Sequence, residues 1–199
     1  MFPKNMNTNR LIKAIKNEDV ENVEFLLRDP NINPGANRNR AIMTASANGH
    51  VGIVKLLLAD PRVDPGDEHN IAIEMAISNK NTEIVKLLLA DPRVNPGDKS
   101  NLPIKLASRK SIEIVELLLK DPRVDPSANN NFAIEWASGG GNIEIVKLLL
   151  TDPRTYPYDN NNGAIRWASC FGHTEMVRFL LTYPKVDPSA DNNYSIKME

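Results

Sequence analysis

The stretch Ile53-Val54-Lys55-Leu56-Leu57-Leu58-Ala59-Asp60-Pro61-Arg62-Val63-Asp64-Pro65 decides the fold. Its first half places apolar residues at helical spacing around one outward Lys55. Its second half is an Asp-Pro corner that no helix can cross, because proline lacks the backbone donor and biases the residue before it away from helical angles. Near copies stand at residues 84–96, 114–126, 145–157 and 176–188, and a blunter one at residues 22–34. The first corner proline recurs at Pro30, Pro61, Pro92, Pro122, Pro153 and Pro184, in steps of 31, 31, 30, 31 and 31 residues. A period of this length marks a solenoid. The single short step has a local cause: Ala107 to Val115 is eight positions, where Ala45 to Val54 is nine, so the fourth unit lacks one residue between its helices.

Outward from the corner, each unit reads as two short helices. The first opens near an asparagine (Asn39, Asn70, Asn101, Asn131, Asn162 or Asn193, with Thr8 at the same phase), expected as a helix N-cap. Pro103 fits a first helical turn. The pairs Ile42/Ala45, Ile73/Ala76, Ile104/Ala107, Ile134/Ala137 and Ile165/Ala168 form its buried face, the small alanine admitting a neighbouring helix. Gly49-His50, Gly172-His173 or a polar substitute turns the chain into the second helix. That helix is expected to bury Val54, Leu57 and Leu58, with Ile53 at the flank. The expected fold is all-α: a solenoid of six repeats at residues 7–37, 38–67, 68–98, 99–128, 129–159 and 160–190. A partial seventh follows at 191–199, with little or no β structure in one array over 1–199. One such unit cannot bury its stripe alone, so stacking closes the core. The C-terminal edge reads as weakly capped and prone to self-association.

Composition narrows the function. Lys and Arg number 24 against 25 Asp and Glu, so no global charge points to nucleic acid or an anionic membrane. Lys, Arg or Glu interrupts every apolar run short of a membrane span. The first residues lack a signal peptide's apolar core, and Cys170 is the only cysteine, which suits a reducing, cytoplasmic compartment. His50, His69 and His173 fall in separate units and form no metal site, and no cofactor is expected. Gly139-Gly140-Gly141 follows a helix and lacks the Lys-Ser/Thr of a phosphate loop, so it reads as a turn. Arg62, Arg93, Arg123, Arg154 and Lys185 form a cation ladder along one edge, each beside its own aspartates, and read as a self-neutralised, solvated rim.

These residues resemble the ankyrin repeat. Leu102-Pro103-Ile104-Lys105-Leu106-Ala107-Ser108 is similar to that family's inner-helix motif. Gly172-His173-Thr174-Glu175-Met176-Val177-Arg178-Phe179-Leu180-Leu181 is similar to its outer-helix motif, as is the segment 49–58. The resemblance covers residues 7–198. The unit is about two residues shorter than the usual 33, and the Asp-Pro-Arg corner is similar to arrays of large DNA viruses and protists. The resemblance implies a non-catalytic module that binds a protein partner on its concave face of inner helices and loop tips. It also allows an adaptor that recruits substrates to a ubiquitin ligase or other host machinery.

Positions that vary between copies are free to recognise something. One column runs Met43, Glu74, Lys105, Glu135, Arg166; its alternating charges either pair with one another or meet a partner. The next holds Thr44, Met75, Leu106, Trp136, Trp167, whose tryptophans either pack together or offer aromatic anchors. Arg109 and Lys110 join Lys105 in a basic patch. The fifth corner replaces Val, Asp and Ser or Gly with Thr155, Tyr156 and Tyr158, and Phe171 adds to an aromatic-rich C-terminal half. The candidate contact residues are therefore Trp136, Trp167, Tyr156, Tyr158, Phe171, Lys105, Arg109, Lys110, Glu74, Glu135 and Arg166.

Overall fold

The computed structural model describes the backbone of residues 4–189 and the side chains of residues 8–98 and 101–189. Twelve helices, and no strands, occur among the described residues. The inner helices are α1 (Lys4–Lys16), α3 (Ala36–Asn48), α5 (Asp67–Ser78), α7 (Asp98–Ala107), α9 (Ala128–Gly139) and α11 (Asp159–Cys170). The outer helices are α2 (Val20–Leu27), α4 (Val51–Ala59), α6 (Thr82–Ala90), α8 (Ile112–Leu119), α10 (Ile143–Leu149) and α12 (Thr174–Leu180). The chain divides into two compact units, residues 1–98 and 99–199. The partial seventh repeat, with Asn193, lies outside the described residues.

The apolar columns pack as periodicity demands. Ile42, Ala45, Ile73, Ala76, Ala107, Ile134 and Ala137 are wholly buried, as are Ile53, Val54 and Leu57 on the outer helix. Leu58 is half-buried, so Ile53 rather than Leu58 completes the outer-helix core.

The asparagine is not an N-cap. Asn39, Asn70, Asn101, Asn131 and Asn162 all have positive φ, and in four units two preceding residues share it: residues 37–39, 68–70, 129–131 and 160–162. Each triplet is one left-handed turn before the right-handed helix starts, a conformation most side chains resist and asparagine tolerates. The turn aims the buried amide across to the corner that leads toward the next inner helix. Asn39 Oδ1 accepts the Asp64 backbone N–H at 2.8 Å, and Asn70 does the same for Asn95 at 2.8 Å. Asn101 takes Asp125 at 2.6 Å, Asn131 takes Tyr156 at 2.9 Å, and Asn162 takes Asp187 at 2.8 Å. The other end of the amide is used as well: Asn39 Nδ2 donates to Asp67 Oδ2 at 2.7 Å. Thr8 does not cap a helix either; it is buried within α1. Because Asn101 is left-handed, Pro103 falls in the first right-handed turn, where its missing donor costs nothing.

The Asp-Pro-Arg corner is a clamp rather than a solvated rim. Arg62 Nε and Nη2 donate to the two Asp60 oxygens at 2.9 and 2.6 Å, and the Arg62 backbone N–H donates to Asp60 Oδ1 at 3.0 Å. The guanidinium then reaches back one repeat: Nη2 donates to the Leu27 carbonyl at 2.7 Å and Nη1 to that of Ile32 at 2.8 Å. Leu27 ends α2, so the arginine satisfies a carbonyl the helix leaves orphaned. Arg93 repeats the arrangement on Leu58 and Val63 at 3.0 and 2.8 Å. The arginine hydrogen bond holds the Asp60, Asp91, Asp121 and Asp152 carboxyls below the usual carboxylate range.

The asparagine and the clamp can each be tested by substitution. Asn70→Ala leaves the Asn95 N–H without its acceptor, at about 1–3 kcal/mol, and forces alanine into the left-handed region at ~1 kcal/mol more. Asn70→Asp keeps an acceptor and loses less; urea unfolding of the two variants measures the difference. Arg62→Lys cannot span a carboxylate and two carbonyls, and costs about 1 kcal/mol, because the guanidinium is partly solvent-screened. For the aspartates, a folded pKa below the unfolded one means stability that is present above the ordinary Asp value and lost as pH falls through the folded value. Wild type therefore loses stability below about pH 4, and Asp60→Asn flattens part of that slope in melts taken across the acid range.

Candidate partner-binding face

The candidate residues of the C-terminal unit gather on successive inner helices, and the register of those helices explains how. On α9, Phe132 and Trp136 stand one turn apart with ring centroids at 5.7 Å. On α7 and its turn, Lys105 and Arg109 follow the same spacing and reach over those rings: Lys105 Nζ is 5.2 Å from the Phe132 centroid, and the Arg109 guanidinium carbon 5.5 Å from that of Trp136. On α11, Trp167 stacks with Phe171 at 5.6 Å, with 30° between the ring planes.

Gly139 seats the third of these helices. A Cβ there would lie 3.2 Å from Trp167 Cε3 and 3.5 Å from Phe171 Cδ2, so the missing side chain lets both rings lie on α9. His173 Nε2 is 3.0 Å from the Gly139 carbonyl, so this turn histidine bonds backbone. His50 differs: its Nδ1 faces Glu18 at 3.4 Å. The result is a strip of two cations and four rings across α7, α9 and α11. Trp167 is 40% exposed and Phe171 49%, enough to offer ring faces to another molecule. Lys110 is exposed beside Arg109.

The two tryptophans pair within their own helices, each with a phenylalanine one turn away. Phe132 is a member of the strip that the sequence reading misses. It belongs to the variable column Arg40, Ile71, Leu102, Phe132, Gly163, and its i, i+4 spacing from Trp136 is the signal that finds it.

At the fifth corner, Tyr156 and Tyr158 stand 5.4 Å apart, and Tyr156 is 42% exposed. Lys185, expected as a ladder rung, is 5.1 Å above the Tyr158 ring. Thr155 serves the interior. It is buried, and its hydroxyl donates to the Leu149 carbonyl at 2.7 Å and lies 3.0 Å from that of Asp152.

Glu135 corrects an expectation. It is 2% exposed and cannot meet a partner. Its carboxylate fills the space above Gly163, where a Cβ would collide with Oε1, and it accepts from Asn160 Nδ2 at 2.7 Å. Burial pushes the Glu135 carboxyl up, opposed by the Asn160 bond and the Arg166 charge. Arg166 is half-buried beside it, so these two rungs serve the interior. Glu74 lies half-buried on α5 in the N-terminal unit.

Paired helices, a 31-residue beat and a hydrogen-bonded turn at Gly139 meet a second observation. The family model described as ankyrin repeats (3 copies) matches residues 11–100 and again 102–193. The chain belongs to the ankyrin-repeat family. No curated protein matches it. Ankyrin repeats are generally protein–protein interaction modules and typically non-catalytic. In this ankyrin chain no helix among the described residues is long and apolar enough to cross a membrane. Nor do three or more His, Cys, Asp or Glu side chains gather there as a metal site. Cys170 is an exposed thiol on α11.

The sign of the Glu135 shift gives a test of its burial. A carboxyl whose folded pKa stands above its unfolded one stabilises the fold below the ordinary Glu value and progressively less as pH rises through the folded value. Glu135→Gln, which keeps an acceptor for Asn160, therefore raises the melting temperature at pH 7–8 and leaves it unchanged below about pH 4.

Proposed function

We propose that this chain is a non-catalytic interaction module that captures a protein partner on the inner-helix strip of its C-terminal unit. The strip supports this reading because it exposes what folding normally hides. Trp167 and Phe171 are stacked, exposed and seated on a glycine, and truncating either leaves the buried alanine and isoleucine columns intact. Aromatic side chains held in one orientation bind with little ordering cost. Trp136 and Arg109 extend the same surface. The two tyrosines of the fifth corner offer a second set of rings at the loop tip, where the family's contacts extend from the inner helices.

Affinity capture from the native cell type, with partners identified by mass spectrometry, gives the assay. Trp136→Ala with Trp167→Ala weakens capture at least tenfold, the effect expected of aromatic hot spots at roughly 2 kcal/mol or more together, while far-UV circular dichroism stays that of wild type. Capture that persists undiminished refutes the face.

A further inference from the structure

We infer that the strip selects a partner segment that is acidic and carries an apolar or aromatic anchor; this deepens the interaction reading above and rests on it. The chain as a whole carries a formal charge of −1. The inner helices of the C-terminal unit depart from that balance. From their left-handed asparagines through the turns that follow, residues 101–110, 131–141 and 162–172 hold four cations, of which half-buried Arg166 balances the single carboxylate, Glu135, and Lys105, Arg109 and Lys110 remain. That carboxylate is 2% exposed and is taken up by Asn160. The charge this surface shows to solvent is therefore positive, and it is concentrated at α7 and its turn.

The positive charge adjoins the rings rather than standing apart from them. Lys105 and Arg109 lie over Phe132 and Trp136, which orients them while leaving their solvent side for an anion. Next to them, Trp167 and Phe171 are the exposed apolar surface. A carboxylate of the partner meets Arg109 and Lys110, Arg109 by a bidentate fork. An apolar side chain a few residues along the partner lies on the Trp167–Phe171 stack.

Cations interleaved with rings also suit a single-stranded nucleic acid. The corners of the same unit argue against it: Arg123 and Arg154 are engaged by Asp121 and Asp152, so the cations of that edge do not extend the strip for a phosphate backbone to follow.

Random 12-residue peptides displayed on phage and selected against the full chain test the inference, with the enriched peptides measured by fluorescence polarisation. The expected peptides carry Asp or Glu flanking Leu, Phe, Trp or Tyr. Their affinity falls at least tenfold on Arg109→Glu with Lys110→Glu, on Trp167→Ala, and on Glu→Gln in the peptide, and it weakens with added salt. Arg109→Gln with Lys110→Gln gives the same direction without reversing charge beside Trp136. Peptides lacking an acidic bias, yet lost on Trp136→Ala with Trp167→Ala, overturn the acidic partner and leave the face standing. Peptides indifferent to all these variants overturn both. An empty selection overturns the segment proposal, while the capture assay still judges the face. Binding of a 20-residue oligodeoxythymidine more tightly than any peptide, lost on the same charge reversals, overturns it in favour of nucleic acid.

Discussion

The stacking of this protein depends on one hydrogen bond made again and again: a buried asparagine oxygen accepting the backbone N–H of the corner that leads toward the next inner helix. Nothing in a column of isoleucines and leucines fixes the register of one repeat on the next, because the hydrophobic effect is non-directional. The asparagine supplies direction. Its acceptor must reach a donor 24 or 25 residues ahead, and only the left-handed turn before the inner helix aims it there. That turn in turn selects the residues that form it, which is why 129–131 and 160–162 are runs of asparagine. An unmade bond at this depth costs more than a made one gains, so the pairing also discriminates against slipped stacks.

At the second and third corners the arginine clamp reinforces the same registration in the other direction. Where the asparagine reaches forward, Arg62 and Arg93 reach back to the last turn of the preceding outer helix. The aspartate two residues earlier orients the guanidinium through both its oxygens and removes the freedom that would otherwise oppose the bonds to carbonyls. Asp, Pro and Arg thus divide the work within three residues. The aspartate orients, the proline stops the helix, and the arginine ties down the repeat before. Lys185 keeps the charge but not the fork, and there the cation settles over the Tyr158 ring instead.

How much of this the sequence discloses depends on whether a feature is local. The helix pairs, the corner and the buried Ile/Ala columns are local in period, and they are legible residue by residue. The asparagine is not, since the side chain that favours an N-cap also tolerates left-handed angles, and only the partner in the following corner distinguishes the two. Glu135 is a further case. It sits in a column of alternating charge that reads as surface, yet it is interior because Gly163, one repeat on, leaves room for its carboxylate. The tryptophans are legible as unusual, but their pairing requires a phenylalanine one turn away, before Trp136 and after Trp167. Columns reveal what repeats; the exceptions are resolved by neighbours about thirty residues away.

The fifth corner shows how exceptions separate once those neighbours are known. Thr155, Tyr156 and Tyr158 break the rule together in sequence, but not for one reason. Threonine occupies the buried valine site and offsets the cost of its hydroxyl by donating to the Leu149 carbonyl. Tyr156 still gives its backbone N–H to Asn131, as any residue there would, so its side chain is released from structural duty. The stacking bonds of this architecture run largely through the backbone of the corner. Its side chains can therefore change without disturbing registration, and that freedom lets a rigid repeat carry rings at its tip and along its inner helices at the same time.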